Sequence, residues 1–210
     1  MLKVLVVDDS PLFRRGVKDL VNEGFHGAKI GEAGNAFEML ELLKQKSWDI
    51  AVLDISMPGM NGLDALKQAK QEFPKLPVLI LSMYPEQQYA IRMIRAGADG
   101  YLTKSSAPEE LVKAITKVRS GGKYVSPSLA EALVTTVKTG AAKEPHELLS
   151  DREYQVLCLI GSGQTVGDIA GRTNLSVSTI STYRARILEK MRMKTNAELT
   201  RYVLQQGLEE

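Results

Sequence analysis

The chain has 210 residues, and its 27 Lys and Arg residues nearly balance its 25 Asp and Glu residues, so the net charge is only +2. This balance excludes nucleic-acid binding through overall charge, and any basic surface must be local. The single cysteine, Cys158, excludes an intramolecular disulfide framework. No apolar run approaches the roughly 20 residues that a membrane helix needs. We therefore expect a soluble, cytoplasmic protein without a membrane partner, built as one large domain or two modest ones.

Apolar, strand-like runs alternate with helix-like segments through about residue 120. The runs are rich in Val, Ile and Leu rather than alternating in polarity, as expected for parallel strands that are covered on both faces. The predicted strands are Lys3–Val7, Lys29–Ala33, Ile50–Leu53, Val78–Leu81 and Gly100–Thr103. The predicted helices are Pro11–Glu23, Ala36–Lys46, Gly62–Glu72, Pro85–Ala96 and Pro108–Ser120. This alternation predicts an α/β domain with a doubly wound, five-stranded parallel sheet.

The pattern changes after residue 122. Residues 123–147 contain three helix breakers and predict a linker with one helix over Leu129–Val137. From residue 148 there is no strand signal, and the sequence predicts an all-α domain of four helices. These are Asp151–Gly161, Val166–Arg172, Val177–Met191 and Asn196–Gln206. We expect a domain over 1–122, a linker over 123–147 and a second domain over 148–210.

Helix starts are marked by capping residues. Ser10 precedes a proline at a first helical position, and Asn61 is expected near the start of the third helix. Four pairs have the spacing of a capping box, in which a side chain at the cap and one three residues later exchange hydrogen bonds with the backbone. These pairs are Asn35 with Glu38, Ser106 with Glu109, Ser150 with Glu153, and Thr195 with Glu198.

Polar residues stand where four of the predicted strands end. Asp8 and Asp9 follow the first strand, Asp54 the third, Ser82 the fourth and Lys104 the fifth. Open parallel sheets place their sites at this edge. Three carboxylates there would repel one another unless a cation lay among them, and oxygen ligands without Cys or His suit Mg²⁺. Asp54 could then attack a phosphoryl group, with Lys104 and Ser82 stabilising the transferred oxygens.

Residues 1–122 resemble the response-regulator receiver domain, which has a flavodoxin-like fold. The resemblance rests on Val6–Ser10, Asp54–Gly62, Leu81–Ser82 and Ala98–Lys104. It implies that Asp54 is the phosphoacceptor and that Ser82 and Lys104 contact the phosphoryl group. It also implies that Mg²⁺ is bound by Asp8, Asp9, Asp54 and the backbone carbonyl of Ser56. Tyr101 matches the family's switch aromatic, which moves inward when the hydroxyl at the Ser82 position approaches the phosphate.

Residues 164–191 have the pattern of a helix-turn-helix. A short helix is followed by a turn at Asn174–Ser176 and by a longer helix. That longer helix carries small polar residues that can approach base edges and cations that can hold phosphates. The first group is Ser178, Thr179, Ser181 and Thr182, and the second is Arg184, Arg186 and Lys190. Charge alone favours a solvated surface helix, because the segment from Leu148 is nearly neutral overall.

Residues 148–208 resemble the LuxR-type DNA-binding domain throughout, for example at Leu149–Glu153 and Asn196–Leu199. Together with a receiver, the chain resembles a NarL/FixJ-type response regulator. The resemblance implies that the longer helix enters the major groove with Ser181, Thr182 and Ala185 facing the bases. It also implies that the last helix forms the dimer interface of the DNA-bound protein. That interface would use Leu199, Val203 and Leu204.

We interpret the whole chain as a phosphorylation-controlled transcriptional regulator of a two-component system, with enzymatic activity limited to slow self-phosphorylation and self-dephosphorylation. The expected partners are a sensor histidine kinase, double-stranded DNA and, in the active homodimer, a second copy of the chain. One alternative is a DNA-binding regulator that works without phosphate and uses the receiver for interaction only. Another is a Mg²⁺-dependent phosphohydrolase of the haloacid-dehalogenase type. Such enzymes need a second Asp two residues after the nucleophile, where this chain has Ser56.

Overall fold

The computed structural model describes residues 1–57, 59–60, 62–84, 86–127, 129–131 and 144–208, without the side chains of residues 87, 88 and 151. The chain divides into two compact units, Met1–Leu133 and Val134–Glu210. Three predictions fall on residues outside the described set: the cap near Asn61, the helix start at Pro85, and the linker helix beyond residue 131. No helix among the described residues has the length and apolar character to cross a membrane.

The first unit contains a parallel sheet with the strand order β2-β1-β3-β4-β5. The strands are β1 Lys3–Val7, β2 Lys29–Ala33, β3 Ile50–Asp54, β4 Val78–Ser82 and β5 Gly100–Thr103. Every residue of β3 and β4 is buried, which explains their uninterrupted apolar sequence. The predicted doubly wound fold is confirmed. Its register pairs Asp54 with Leu81 and Ser82 with Thr103, so neighbouring strands end together.

Five helices cover the two faces of this sheet. They are α1 Pro11–Gly24, α2 Ala36–Gln45, α3 Gly62–Glu72, α4 Glu86–Arg95 and α5 Ala107–Arg119. Apolar residues of β1, β3 and β4 form a core with α1 and α5, in which Val6, Val52 and Leu81 are at most 2% exposed. Residues after α5 still belong to this layer, since Tyr124 forms a parallel bridge with Gly100 at the edge of β5.

The predicted caps of the first unit have mixed outcomes. Ser10 Oγ accepts a hydrogen bond from the Phe13 amide at 3.5 Å, and Asn35 Oδ1 accepts one from the Glu38 amide at 3.0 Å. The predicted cap at Ser106 is wrong. Ser106 has helical backbone angles and makes no side-chain cap bond, because its hydroxyl donates instead to the Thr103 carbonyl at 3.1 Å.

The regular structure of the second unit is entirely helical among its described residues. A short 3₁₀ helix, Pro145–Leu148, precedes α6 Asp151–Gly161, α7 Val166–Thr173, α8 Val177–Lys190 and α9 Asn196–Gln206. The capping box of Ser150 and Glu153 is confirmed. A second box joins Thr165 and Asp168 at the start of α7; it was missed because Asp, rather than Glu or Gln, occupies the third position.

Candidate functional site

Three carboxylates converge at the carboxyl edge of the sheet. One oxygen from each of Asp8, Asp9 and Asp54 lies within 4.8 Å of the others. Asp8 and Asp54 are buried, at 2% exposure each, whereas Asp9 is exposed. The set offers only hard oxygen donors and opens to solvent at Asp9. This combination fits Mg²⁺, which is usually held by one or two carboxylates and keeps several of its waters.

Lys104 supplies a positive charge to this cluster. Its Nζ donates to Asp8 Oδ2 at 2.7 Å and to Asp54 Oδ2 at 2.9 Å, and its side chain is only 5% exposed. Burial lowers the pKa of Lys104, but the charges and hydrogen bonds of Asp54 and Asp8 outweigh this effect and raise the pKa overall. The ammonium therefore stays charged. Burial also raises the pKa of Asp54, and Lys104 offsets that rise only in part.

The loop after β3 fixes the Asp54 carboxylate. The Ser56 amide donates to Asp54 Oδ1 at 3.1 Å, so the carbonyl predicted as a metal ligand belongs to the same turn. At the other end of the loop, the Gly62 amide donates to the Ile55 carbonyl at 3.1 Å. A Cβ at Gly62 would lie 2.4 Å from Ile55 Cα and 2.5 Å from the Asp54 carbonyl oxygen. Only glycine allows α3 to begin this close to the strand end.

Ser82 and Tyr101 meet beside the acidic cluster. Ser82 is fully buried at the end of β4, and its Oγ accepts a hydrogen bond from the Tyr84 amide at 3.0 Å. Tyr101 is 2% exposed and donates from its hydroxyl to the Tyr84 carbonyl at 2.8 Å. Burial raises the pKa of Tyr101, and hydrogen bonding with Ser82 opposes the rise. The aromatic ring therefore occupies the inward position. Sequence reasoning missed Tyr84, because its backbone N–H and C=O make these two contacts and backbone groups carry no residue-type signal.

Phe13 is a second residue that sequence reasoning missed. Its ring lies beneath the ammonium of Lys104, with Nζ 4.3 Å from the ring centroid. Phe13 is in the first turn of α1, whereas Lys104 follows β5. A contact between such distant parts of the chain has no signature in residue spacing.

The α8 helix presents the predicted small residues on its surface. Ser178, Ser181, Thr182 and Ala185 are exposed, and Thr179 is half-buried. Buried Ile180 and Ile187 lie on the opposite side of the helix. The exposed face also includes Val177, which is 55% exposed in the first turn and was not predicted.

Two of the three predicted phosphate-binding cations have partners within the second unit. Arg186 is exposed, but Arg184 Nε donates to Asn196 Oδ1 at 2.5 Å. Lys190 Nζ donates to Glu153 Oε2 at 2.7 Å. Burial raises the pKa of Glu153, but the hydrogen bonds from Ser150 and the hydrogen bond and charge of Lys190 together outweigh it and leave the pKa lowered. Lys190 thus joins α8 to the capped start of α6, and its side chain is still 41% exposed, so its contact with phosphate stays a prediction.

The predicted dimer residues of α9 point in two directions. Leu199 and Val203 are fully buried, whereas Leu204 is 56% exposed. Val203 packs against Gly161 of α6, where a Cβ would lie 2.3 Å from Val203 Cγ1. Leu199 and Val203 are thus core residues, and their assignment to a dimer interface is wrong. Leu204 keeps the surface position that such an interface requires.

Comparison with known families gives two matches, one in each unit. The model of the response regulator receiver domain matches residues 4–116. The model described as bacterial regulatory proteins, luxR family, matches residues 147–203. The first match covers the acidic cluster and Lys104, and the second covers α6, α7 and α8.

Known proteins resemble the chain over nearly its full length. The response regulator UvrY of Escherichia coli is 32% identical over 210 residues, which cover 99% of this chain and 96% of UvrY. The response regulator GacA of Pseudomonas aeruginosa is 32% identical over 209 residues, with 99% and 98% covered. A solved structure of the RcsB response regulator of Salmonella typhimurium has a TM-score of 0.62 at 25% identity, covering 97% of this chain and 99% of RcsB. A structure of two RcsB dimers bound to two parallel DNAs has a TM-score of 0.60 at 26% identity and covers 96% and 97%.

Proposed function

This chain belongs to the response regulators that join a receiver domain to a LuxR-type DNA-binding domain, and on that premise we propose that phosphorylation of Asp54 controls DNA binding by α8. It is a transcription regulator of a two-component system and not a classical enzyme. The observation that carries the proposal is the pairing of the buried Lys104 ammonium with Asp54 at 2.9 Å, beside two further carboxylates.

The phosphoryl group would come from the phosphohistidine of a sensor histidine kinase. An oxygen of Asp54 attacks phosphorus, an O–P bond forms, and the P–N bond breaks with its electron pair left on the imidazole nitrogen. Lys104 stabilises the charge on the transferred oxygens, and Ser82 donates a hydrogen bond from its hydroxyl. Asp8, Asp9, Asp54 and the Ser56 carbonyl would hold Mg²⁺, which when bound neutralises charge on the phosphoryl oxygens.

Slow self-phosphorylation from small phosphodonors and slow self-dephosphorylation follow from the same residues. Ser56 stands where a phosphohydrolase would need a general acid, so fast turnover is not expected. Ser82 and Tyr101 are the proposed switch. When the Ser82 hydroxyl turns toward the phosphoryl group, its hydrogen bonding with the Tyr101 hydroxyl changes, and the new state is passed to the surface around α4 and β5.

The proposed output is binding of double-stranded DNA by a homodimer in the cytoplasm. α8 would enter the major groove with Ser181, Thr182 and Ala185 toward the bases, while Arg184, Arg186 and Lys190 contact phosphates. The RcsB dimers bound to DNA support this arrangement by similarity. Leu204 is the remaining candidate for the contact between copies. The domain limits at residues 122 and 148 stay predictions.

The test follows phosphorylation and DNA binding in the same samples. Full-length chain is incubated with Mg²⁺ and radiolabelled acetyl phosphate, and its affinity is measured for DNA selected from a random pool. We expect label on the wild type, none on Asp54→Asn, and tighter DNA binding only where label is present. Asp19→Asn, an exposed carboxylate of α1, is the matched control. If Asp54→Asn still took up label, Asp54 would not be the phosphoacceptor. Equal DNA affinity with and without label would favour the phosphate-independent alternative.

A further inference from the structure

The contacts around Lys104 form a closed cycle that includes Phe13. Asp8 uses both oxygens: Oδ1 accepts from the Ser10 amide at 2.8 Å, and Oδ2 accepts from Lys104 Nζ at 2.7 Å. Ser10 in turn caps α1 by accepting from the Phe13 amide. The Phe13 ring then covers Lys104 Nζ at 4.3 Å. Each residue of this cycle is therefore positioned by its contact with the residue before it.

We propose that Phe13 is a positioning residue, which holds the Lys104 ammonium in the acidic site while Asp54 is being phosphorylated. This inference rests on the proposed function. The face of an aromatic ring carries partial negative charge and attracts a cation, more strongly when water is excluded. Water is largely excluded here, since the Lys104 side chain is 5% exposed.

Phosphorylation changes the other contacts of the ammonium. Asp54 Oδ2, now 2.9 Å from Nζ, belongs to the group that becomes the acyl phosphate. The second carboxylate, Asp8, is also a candidate metal ligand, so a bound cation would share its charge. Phe13 is a contact that neither event alters. Its ring can hold Lys104 at one location before, during and after transfer.

A purely apolar role for Phe13 is the competing explanation. The ring also lines an apolar groove between α1 and α5, together with Leu12, Leu20 and Ala107. Packing in that groove depends on the size of the ring, whereas attraction of the ammonium depends on its electron density. Fluorination of Phe13 distinguishes packing from attraction of the ammonium, because it withdraws electron density from the face of the aromatic ring and changes the volume of the side chain little.

The experiment uses full-length chain that carries phenylalanine, 4-fluoro-, 3,5-difluoro- or 3,4,5-trifluorophenylalanine at position 13. The rate of Asp54 labelling by acetyl phosphate with Mg²⁺ is measured across this series and for Phe13→Leu. We expect a stepwise fall that reaches about threefold to tenfold, with Phe13→Leu at least as slow as the trifluoro variant. The same series at Phe73, which lies at the opposite end of the sheet after α3, should show no trend.

A second measurement needs neither metal nor phosphodonor. In the free chain, the ring current of Phe13 should shift the ε-methylene protons of Lys104 upfield in the NMR spectrum, and Phe13→Leu should abolish this shift. A labelling rate that is equal or rises across a normally folded series would overturn the inference, as would an unshifted Lys104 signal. If the wild-type chain takes no label on Asp54, it is the proposed function that fails.

Discussion

Asp99 collects three hydrogen bonds just before β5. Its Oδ2 accepts from Lys70 Nζ at 2.6 Å and from the Val78 amide at 2.9 Å, and its Oδ1 accepts from Lys123 Nζ at 2.8 Å. Burial raises the pKa of Asp99, but these donors outweigh it and leave the pKa below its ordinary value. One carboxylate thus ties α3, β4 and the segment after α5 to the same end of the sheet.

The lowered pKa of Asp99 makes the stability of the first unit sensitive to acid. Its contribution is fully present above the unfolded-state pKa, near 3.8, and is lost as pH falls through the lower folded-state pKa. Asp99→Asn should lower the free energy of unfolding at pH 7 by about 1–3 kcal/mol. It should also reduce the loss of stability on further acidification. Urea unfolding at a series of pH values checks both effects, with Asp19→Asn as the control. An Asp99→Asn profile parallel to that of the wild type would contradict the linkage.

At the scale of helices, α6 and α9 approach closely because Gly161 has no side chain. A Cβ at this position would lie 2.3 Å from Val203 Cγ1 and 2.6 Å from Val203 Cβ. The position of Val203 Cβ is set by the backbone of α9, so a side-chain rotation alone cannot relieve the clash. The contact links the buried face of α9 to the core of the second unit.

Gly161→Ala should therefore destabilise the second unit by about 1–3 kcal/mol, although alanine favours helix. Adding Val203→Ala should recover part of this loss, because it removes the clashing methyl groups. Gly171→Ala is the matched control, since its Cβ would meet nothing within 4 Å, and it should be neutral or stabilising. Hydrogen exchange of α6 and α9 amides in the full chain measures each change. Strictly additive effects of the two alanines would show that Gly161 and Val203 do not pack together.

Helices and strands could be predicted because their signals are local. Continuous apolar runs marked β3 and β4, and capping pairs such as Ser150 with Glu153 marked helix starts. The acidic cluster followed from the strand ends, since parallel strands bring their carboxyl ends to one edge. What could not be predicted are pairings between distant side chains. The sequence does not show that Lys190 pairs with Glu153, because the two residues are far apart along the chain. The spacing of Leu199 and Val203 could not distinguish core residues from interface residues.

At the scale of the whole molecule, the two units have separate chemistry. Asp54 and its neighbours lie in the first unit, and the exposed face of α8 lies in the second. With a net charge of only +2, the chain cannot rely on bulk attraction to DNA. Specific binding then depends on few contacts per copy, and two copies on paired half-sites would multiply them. Phosphorylation could therefore control DNA binding by controlling the association of two copies of the chain.

Leu204 provides a test of that assembly which leaves the fold intact. It is 56% exposed on α9, so Leu204→Glu adds a charge at the surface and should not change the melting temperature. If two copies meet here on DNA, the variant should bind paired half-sites at least about tenfold more weakly, because like charges would be buried together. Binding to a single half-site should be unchanged. Unchanged binding of Leu204→Glu to paired half-sites would show that the interface does not lie on α9.

Sedimentation velocity with Mg²⁺ and beryllofluoride, a mimic of the aspartyl phosphate, tests whether phosphorylation itself drives association of the wild type. A monomeric wild type with Asp54 occupied would mean that phosphorylation acts without assembly in solution.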